Sequence, residues 1–240
     1  MRPSKIRSKM NAGEKAYGFG ITFPSESLID IAGYIGFDFA HLDAEHGVFD
    51  YGDIERMCRA ADLHGMTCTA RVPNIDNSTL LRFFDRGIMG VLAPHISNRD
   101  EAEQVAKACR YAPEGDRSFG TGRGRDYGLD KPPAEYMADF NREGTVGIQI
   151  ETSEGVQKID ELLEVDGIDY FTFGPADLAQ SLGYPGDPGH SDVQAAMESV
   201  RNRVRDAGRL MQEDIMQSVN LVMWMPPLLK KWLEDARAAG

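Results

Sequence analysis

The feature that most constrains the fold of this chain is a regular alternation of short apolar runs with longer amphipathic segments. Alternation of this kind predicts a parallel sheet, and about eight such units in some 250 residues predict a closed barrel. We therefore expect an α/β fold, a single (β/α)8 TIM barrel over residues 1–240, with an open doubly wound sheet as the alternative. The first six predicted strands are YGFGIT (17–22), FDFAHLD (37–43), MTCTARV (66–72), IMGVLAP (88–94), TVGIQIE (145–151) and IDYFTFG (168–174).

The C-terminal part of the chain departs from this pattern. We predict strand seven at RLMQ (209–212), a shortened crossover at EDIMQS (213–218) and strand eight at VNLVMWM (219–225). A last helix is expected in PPLLKKWLEDARAA, because proline is tolerated in the first turn of a helix. The short crossover predicts a thin barrel wall whose apolar surface is covered by something else.

The composition argues against several classes of protein. The 38 acidic and 26 basic residues give a formal charge of −12, which repels nucleic acid and anionic membranes. The three cysteines form no C-x-x-C pair, so neither a zinc ribbon nor a disulfide scaffold is indicated. No apolar run reaches the roughly 20 residues of a membrane span, and the start MRPSKIRSKM lacks the apolar core of a signal peptide. We expect a soluble, cytoplasmic protein with no nucleic-acid or membrane partner.

Polar side chains accumulate at the carboxyl ends of the predicted strands. Alternate residues of a barrel strand face the lumen, so Gln149 and Glu151 are expected inside the barrel. The same alternation places Arg71 and Asp43 inside, and the segment HLDAEHG (41–47) adds further titratable groups. Barrel enzymes carry their active sites at this end. The pattern therefore favours a catalytic site, with a structural layer of salt bridges as the alternative.

Several segments resemble, in order along the chain, the signature blocks of the HpcH/HpaI aldolases. They are DFAHLDAEHG, TARVP, DRGIMGVLAPHISNRDEAEQVAKACRYAPEGDRSFG, GIQIETSEGV and GPADLAQSLGYPGDPGH. The resemblance covers about residues 14–207, and I-E-T followed by G-P-A-D-L is its most specific part. It implies a class II, metal-dependent pyruvate aldolase of the phosphoenolpyruvate/pyruvate barrel superfamily.

The resemblance implies that Glu151 and Asp177 are the two protein ligands of one divalent cation. Two carboxylates with open coordination positions suit Mg²⁺, Mn²⁺ or Co²⁺ better than a structural zinc. Pyruvate would fill the open positions, and the cation would act as a Lewis acid on the enolate oxygen. The implied reaction is reversible cleavage of a 4-hydroxy-2-oxo acid to pyruvate and an aldehyde.

The resemblance also implies roles for the residues around the cation. Arg71 would stabilise the charge of the enolate, with a salt bridge to Glu151 as the structural alternative. Gln149 would position the substrate or a metal-bound water. The segment that precedes the metal-binding aspartate would contact the substrate through Gly174, Pro175 and Ala176.

The D-x-E-H block implies an acid–base group at the end of the second strand. Asp43 would orient His46, which would take the proton from the hydroxyl group of the aldol adduct, directly or through a metal-bound water. Glu45 is expected to support these groups indirectly. His41 is expected to be a core histidine with satisfied hydrogen bonds.

Three functional hypotheses follow. Metal-dependent aldol cleavage leads, because no lysine lies at a predicted strand end to form a Schiff base with a pyruvate carbonyl. The second hypothesis keeps the enolate but changes its fate, to decarboxylation of oxaloacetate or to addition to another acceptor, as in macrophomate synthase and citrate synthase. A ligand-binding or scaffold protein is disfavoured, because the two carboxylates, the arginine and the histidine are all present.

Two further expectations concern loops and assembly. The glycine-rich stretch 118–128 and the residue before it carry Arg117, Arg123 and Arg125, which would form a lid for a dicarboxylate substrate or belong to a merely solvated loop. The resemblance implies a homo-oligomer, a hexamer built as a trimer of dimers. In it, a terminal helix over residues 227–240 would pack on a partner subunit, with packing on its own barrel as the alternative.

Overall fold

A computed structural model describes residues 3–239 of the protein, and within that range seven parallel strands form one curled sheet surrounded by helices. The strand order is β6-β5-β4-β3-β2-β1-β7, with the strands at β1 (Ala16–Ile21), β2 (Phe39–Asp43), β3 (Thr67–Arg71), β4 (Gly90–Ala93), β5 (Thr145–Ile150), β6 (Tyr170–Phe173) and β7 (Met216–Asn220). The helices are α1 (Lys5–Asn11), α2 (Glu26–Ile35), α3 (Tyr51–Leu63), α4 (Asn77–Asp85), α5 (Arg99–Cys109), α6 (Pro133–Glu143), α7 (Ser153–Gln157), α8 (Ile159–Leu163), α9 (Pro175–Ser181), α10 (Ser191–Asp206), α11 (Gln212–Ile215) and α12 (Leu221–Ala239). The predicted α/β barrel class and its first six strands are confirmed.

Local sequence signals explain where the first helices begin and end. Ser25 starts α2 by accepting a hydrogen bond from the backbone N–H of Leu28 at 3.3 Å. Gly36 ends the same helix in the left-handed conformation, with φ 104°. Asp50 and Asp53 form a reciprocal capping box at the start of α3. The first two strands are therefore each followed by a helix whose start is fixed by its own polar residues.

Alternation along the strands separates an outer core from the barrel lumen. Val146, Ile148 and Ile150 of β5 lie in the main core between the sheet and the helices. Gly147 faces the other way, and a Cβ atom there would lie 2.2 Å from the Tyr170 ring, so glycine leaves room for that ring. The amino-terminal half of the lumen is filled by Ile6, Ala16, Phe39, Leu92, Tyr170, Ile215 and Met216. The polar inward residues are thereby left at the carboxyl end.

The C-terminal units differ from the prediction. Residues 209–212 form no strand, and a single bridge joins Met211 to Phe171. The last strand, β7, pairs with β1 and ends at Asn220, so the strand predicted at 219–225 is wrong for most of its length. Asn220 starts α12 by accepting a hydrogen bond from the backbone N–H of Val222 at 3.0 Å. The run LVMWM fits a strand and a helix equally by periodicity, so the cap at Asn220 and the pairing of β7 with β1 decide where the strand ends.

The last helix has few contacts with its own barrel. Leu221 is the only buried residue of α12 in the part of the chain that the structure describes. Met223, Leu229 and Trp232 are 77 %, 56 % and 68 % exposed. The structure therefore does not show the alternative in which this helix folds back on its own barrel. Between residues 3 and 239, no helix is both long and apolar enough to cross a membrane.

The arginines of the glycine-rich segment do not form the expected lid. The guanidinium carbon of Arg117 lies 4.4 Å from the centroid of the Phe140 ring, and its side chain is 1 % exposed. The guanidinium carbon of Arg125 lies 4.1 Å from the centroid of the Phe119 ring. Arg123 pairs with Asp62. Both earlier expectations, a lid and a solvated loop, are wrong for these three cations, because they pack against the helix layer.

Candidate active site

A cavity of about 350 Å³ opens at the carboxyl ends of the strands. Its lining includes every predicted site residue except Glu151, which lies beside the cavity in contact with Gln149 and close to Gly174. The lining residues are His41, Asp43, His46, Arg71, Leu92, Gln149, Thr172, Phe173, Gly174, Pro175, Ala176, Asp177, Gln212, Ser218 and Asn220. Strand alternation thus brings together side chains that are far apart in the sequence.

Arg71, the last residue of β3, is held by two carboxylates. Its Nε and Nη2 donate to the two carboxylate oxygens of Asp43 at 2.9 and 2.6 Å, and its Nη1 lies 2.9 Å from Oε2 of Glu45. Burial tends to lower the pKa of Arg71, but these carboxylates outweigh burial and raise it. Burial tends to raise the pKa of Asp43, but Arg71 holds it below its usual value. The structure therefore pairs Arg71 with Asp43 and Glu45 rather than with Glu151.

Glu151 follows β5 and is 1 % exposed. Its Oε1 accepts a hydrogen bond from the backbone N–H of His95 at 2.6 Å, and its Oε2 accepts one from the Gln149 amide at 2.5 Å. Burial raises the pKa of Glu151, and the hydrogen bond from His95 partly offsets this. A Cβ atom at Gly174 would lie 1.8 Å from Oε2, so glycine is required beside this carboxylate. A desolvated carboxylate of this kind favours a cation as its partner.

His95 is a site residue that the sequence analysis did not single out. Its backbone lies in the left-handed region at φ 57°, which is uncommon for a residue other than glycine. The ring Nδ1 lies 3.1 Å from Oε1 of Glu151, and Nε2 lies 2.9 Å from Oε1 of Glu45. These three residues offer ligand atoms within 4.8 Å of one another, so they form a possible metal site. In the sequence, the feature that could have pointed to His95 is its position two residues after the end of β4, at the carboxyl end of the barrel.

His46 lies at the mouth of the cavity, and its side chain is 63 % exposed. Its backbone N–H donates to Oδ1 of Asp43 at 3.4 Å, and its ring Nε2 lies 3.9 Å from Oε2 of Glu45. Asp43 was expected to orient the imidazole of His46. In the structure Asp43 instead contacts the backbone of that residue and the guanidinium of Arg71, and Glu45 is the carboxylate nearest the imidazole.

His41 lies deeper in the same cavity. Its Nδ1 is 3.0 Å from the hydroxyl group of Thr69 on the neighbouring strand. Burial lowers the pKa of His41 to about 4, Asp43 opposes this change and Arg71 adds to it. The imidazole is therefore neutral at physiological pH, in agreement with the expected core histidine, although part of its surface faces the cavity.

The loop after β6 carries the remaining predicted residues. Pro175 opens α9, and Asp177 lies in the first turn of that helix. Asp177 is half-buried and lines the cavity. On β7, Ser218 and Asn220 also line the cavity. The sequence analysis missed these two residues because it placed the last strand too late in the chain.

Lysine is absent from the cavity lining among residues 3–239. The lysines of the chain lie on α1, α5 and α12 and in connecting segments, as Lys5, Lys9, Lys15, Lys107, Lys131, Lys158, Lys230 and Lys231. No ammonium group of these residues is thus available in this cavity to form a Schiff base with a substrate carbonyl.

Comparison with known proteins agrees with this geometry. The sequence profile of the HpcH/HpaI aldolase/citrate lyase family matches residues 21–234. The chain belongs to this family. One relative is 2-keto-3-deoxy-L-rhamnonate aldolase of Klebsiella pneumoniae subsp. pneumoniae, 34% identical over 197 residues that cover 82% of this chain and 73% of the relative. Another is 4-hydroxy-2-oxovalerate aldolase of Rhodococcus jostii, 32% identical over 208 residues, 86% of this chain and 79% of the relative. This HpcH/HpaI protein is accordingly an aldolase, a carbon–carbon lyase.

Solved structures give the same architecture. An HpcH/HpaI aldolase/citrate lyase family protein from Burkholderia cenocepacia J2315 has a TM-score of 0.88 at 25% identity, covering 98% of this chain and 99% of that one. Citrate synthase SbnG has a TM-score of 0.78 at 26% identity, covering 95% and 86%. Macrophomate synthase, with a TM-score of 0.86 at 23% identity and coverage of 99% and 91%, shares the fold. These three proteins and this chain therefore share one fold.

Proposed function

We propose that this HpcH/HpaI aldolase reversibly cleaves a 4-hydroxy-2-oxo acid to pyruvate and an aldehyde. The observation that carries the proposal is the convergence of Arg71, His46 and Gln149 on one cavity beside the buried carboxylate of Glu151. A guanidinium group held in place, an exposed imidazole and a buried carboxylate are the groups that an enolate-forming lyase needs. The named substrate of the Rhodococcus jostii relative, 4-hydroxy-2-oxovalerate, supports the same class of substrate.

A divalent cation fits the residues beside the cavity. Glu151 supplies a carboxylate that is 1 % exposed, and glycine at position 174 keeps the space beside its Oε2 free of a side chain. We assign Glu151 and Asp177 as the protein ligands of Mg²⁺, Mn²⁺ or Co²⁺, with Glu45 and His95 beside Glu151. When bound, the cation supplies positive charge for the carboxylate and keto oxygens of a 2-oxo acid.

Aldol cleavage breaks the bond between C3 and C4 of the substrate. His46 removes the proton of the C4 hydroxyl group, the C4 oxygen becomes the aldehyde carbonyl, and the electrons of the broken bond pass into the enolate of pyruvate. Arg71 stabilises the negative charge on the enolate oxygen, while Asp43 and Glu45 fix the plane of its guanidinium. Return of a proton to C3 completes pyruvate. Glu45, 3.9 Å from Nε2 of His46, stabilises the protonated imidazole during the step.

A second activity rests on the same enolate. Loss of carbon dioxide from oxaloacetate forms the enolate of pyruvate without removal of a hydroxyl proton, so this reaction needs Arg71 but no base. The structural similarity to citrate synthase SbnG favours this candidate over unrelated chemistry, since it is 26% identical to this chain. We keep oxaloacetate decarboxylation, or addition of the enolate to another acceptor, as the second function.

We further propose that the chain works as a homo-oligomer, a hexamer built as a trimer of dimers, in which residues 227–240 contact a partner subunit. Residue 240 of this range lies outside the described residues. Exposed apolar side chains along α12 support the proposal, since solvent contact with such a surface is unfavourable. They are Val222, Met223, Trp224, Met225, Leu228, Leu229, Trp232 and Leu233.

A substrate panel tests the proposed reaction. Pyruvate release is measured from 4-hydroxy-2-oxo acids and from oxaloacetate, with Mg²⁺, Mn²⁺ or Co²⁺ present. We expect release of pyruvate together with an equal amount of aldehyde from at least one hydroxy-oxo acid. Turnover of oxaloacetate alone would select the second function. Failure of every substrate would contradict both.

A further inference from the structure

The barrel has an opening in its wall that borders the active site. The sheet ends at β6 on one side and at β7 on the other, and these two strands are not paired with each other. A single bridge joins Phe171 of β6 to Met211, which precedes α11 and does not belong to β7. The short helix α11 contacts both edge strands. The Thr172 hydroxyl donates to Oε1 of Gln212 at 2.6 Å across the opening. A hydrogen bond between two side chains therefore spans the gap that a further strand would close.

A second cavity of about 220 Å³ lies in this opening. Its lining shares Thr172, Phe173, Gln212 and Ser218 with the cavity of the active site. The two cavities are thus adjacent. A substrate whose reacting end lies in the active site can extend sideways between β6 and β7. The volume has room for roughly seven groups the size of a water molecule, enough for a short hydroxylated carbon chain.

The residues that line the second cavity indicate which kind of substrate tail it can bind. Its lining offers hydroxyl and amide groups from Thr172, Ser218, Gln212 and Gln217, with apolar contacts from methionine and phenylalanine. The charged residue in the lining is Glu213, which is paired with Arg201 and Arg205 at 2.7 and 3.0 Å. Hydroxyl and amide groups bind hydroxylated carbon chains, and the lining, among the described residues, has no cationic side chain to bind an anionic end.

We propose that the second cavity binds the distal part of the acceptor aldehyde, a neutral chain that carries several hydroxyl groups. This inference rests on the proposed aldolase function and names its substrate class. The preferred substrates are 4-hydroxy-2-oxo acids with a neutral polyhydroxylated tail beyond C4. Substrates with a methyl group at this position use the active site alone, and substrates whose tail ends in a carboxylate are disfavoured.

The test compares kcat/KM for three 4-hydroxy-2-oxo acids, with a methyl tail, with a neutral polyhydroxylated tail, and with a tail of the same length that ends in a carboxylate. Gln217 lines the second cavity and not the first. The larger side chain of Gln217→Phe should therefore fill part of the second cavity without changing the lining of the active site. Gln212→Leu removes the amide at the junction. Gln157→Phe on the exposed face of α7 is the control.

In the wild type we expect the neutral polyhydroxylated substrate to be used best. Gln217→Phe should lower its kcat/KM by about tenfold or more, the loss expected when hydroxyl groups lose their partners, and leave the methyl substrate unchanged. Gln212→Leu should lower the ratio of kcat/KM for the polyhydroxylated substrate to kcat/KM for the methyl substrate. Equal effects on both substrates, no effect of either variant, or preference for the carboxylate tail would overturn the proposal. Absence of pyruvate release from all substrates would instead contradict the proposed function.

Discussion

At the scale of single residues, Arg71 is the group on which the proposed chemistry depends most. Arg71→Ala should lower kcat by about 10²–10³-fold, because it removes a fixed donor to the enolate oxygen. Metal affinity, measured by calorimetry, should change little, since Arg71 is not among the assigned ligands. Arg71→Lys should restore only part of the activity, because an ammonium group cannot reproduce the paired hydrogen bonds to Asp43.

The same variants separate a catalytic effect from a structural one. Arg71→Ala leaves Asp43 and Glu45 facing each other without their shared cation, so thermal unfolding is measured in parallel. A variant that remains folded and retains full turnover would contradict the role of Arg71. A loss of metal binding as large as the loss of turnover would assign it to the ligand shell instead.

His46 distinguishes the two proposed reactions. His46→Ala should abolish aldol cleavage while oxaloacetate decarboxylation partly survives, because only the first reaction removes a hydroxyl proton. Both rates are measured on the same metal-loaded preparation. His190→Ala, which changes a histidine outside the cavity lining, is the control. Equal loss of both reactions would show that His46 serves another purpose, such as holding a water molecule in the site.

His41 predicts a dependence of stability on pH. Its folded pKa of about 4 lies below the ordinary value of 6.5, so between these pH values the folded chain binds fewer protons than the unfolded chain. The free energy of unfolding should therefore fall as the pH drops from 6.5 towards 4, with a contribution of about 3 kcal/mol from this residue. This contribution is fully present above pH 6.5.

Urea unfolding of wild type and His41→Asn over this pH range measures that contribution. The variant should lose less stability on acidification, and His190→Asn, at a half-buried helix cap outside the cavity lining, is the control. Parallel curves for wild type and His41→Asn would mean that His41 is protonated equally in both states.

The positions of residues in the barrel were predictable from the sequence where strand alternation decides them. Gln149 and Arg71 were placed correctly in the lumen, because a period of two leaves one choice once the strand is known. His95 was missed, because it lies in a loop where no periodicity applies and its left-handed backbone is not visible in the sequence. The partner of Asp43 depends on distances between strands, which a sequence does not contain.

At the scale of elements, α12 carries the most distinct prediction. The double variant Leu229→Glu with Trp232→Glu puts two charges on its exposed apolar face and should convert the oligomer into monomers with little activity. Lys230→Glu changes the net charge by the same amount at a residue whose side chain is 79 % exposed, and should leave the assembly intact. Light scattering at micromolar concentration measures both.

Two results would contradict that account. A wild-type chain that is monomeric and fully active would show that α12 needs no partner. A double variant that keeps the wild-type mass would show that another surface forms the interface. Removal of the chain after Asn220, where α12 begins, should give aggregated or monomeric, inactive protein.

Element boundaries were least predictable near the C-terminus. The first six strands followed from apolar runs bounded by capping residues. The last strand, β7, carries the sequence MQSVN, whose polar residues conceal it, while the more apolar residues after Asn220 form a helix. Pairing of β7 with β1 decides the assignment, and this contact joins the two ends of the chain.

At the scale of the whole molecule, the barrel was predictable and its opening was not. The count of strand–helix units indicated a closed structure, but closure depends on whether residues 209–212 pair along their length with β6, and they form one bridge. The same opening places polar side chains beside the active site. A local irregularity in the chain thus has a consequence for the substrate that the protein accepts.

In the proposed reaction, a divalent cation at Glu151 supports cleavage of a 4-hydroxy-2-oxo acid in this cavity. The most direct measurement is pyruvate release by the wild type before chelation with EDTA, after chelation, and after addition of Mg²⁺, Mn²⁺ or Co²⁺, alongside Glu151→Gln and Asp177→Asn. We predict that chelation abolishes release, that at least one cation restores it, and that neither variant is rescued at ordinary metal concentrations. Undiminished release by the chelated enzyme, or trapping of a pyruvate adduct on the protein by borohydride, would contradict the claim.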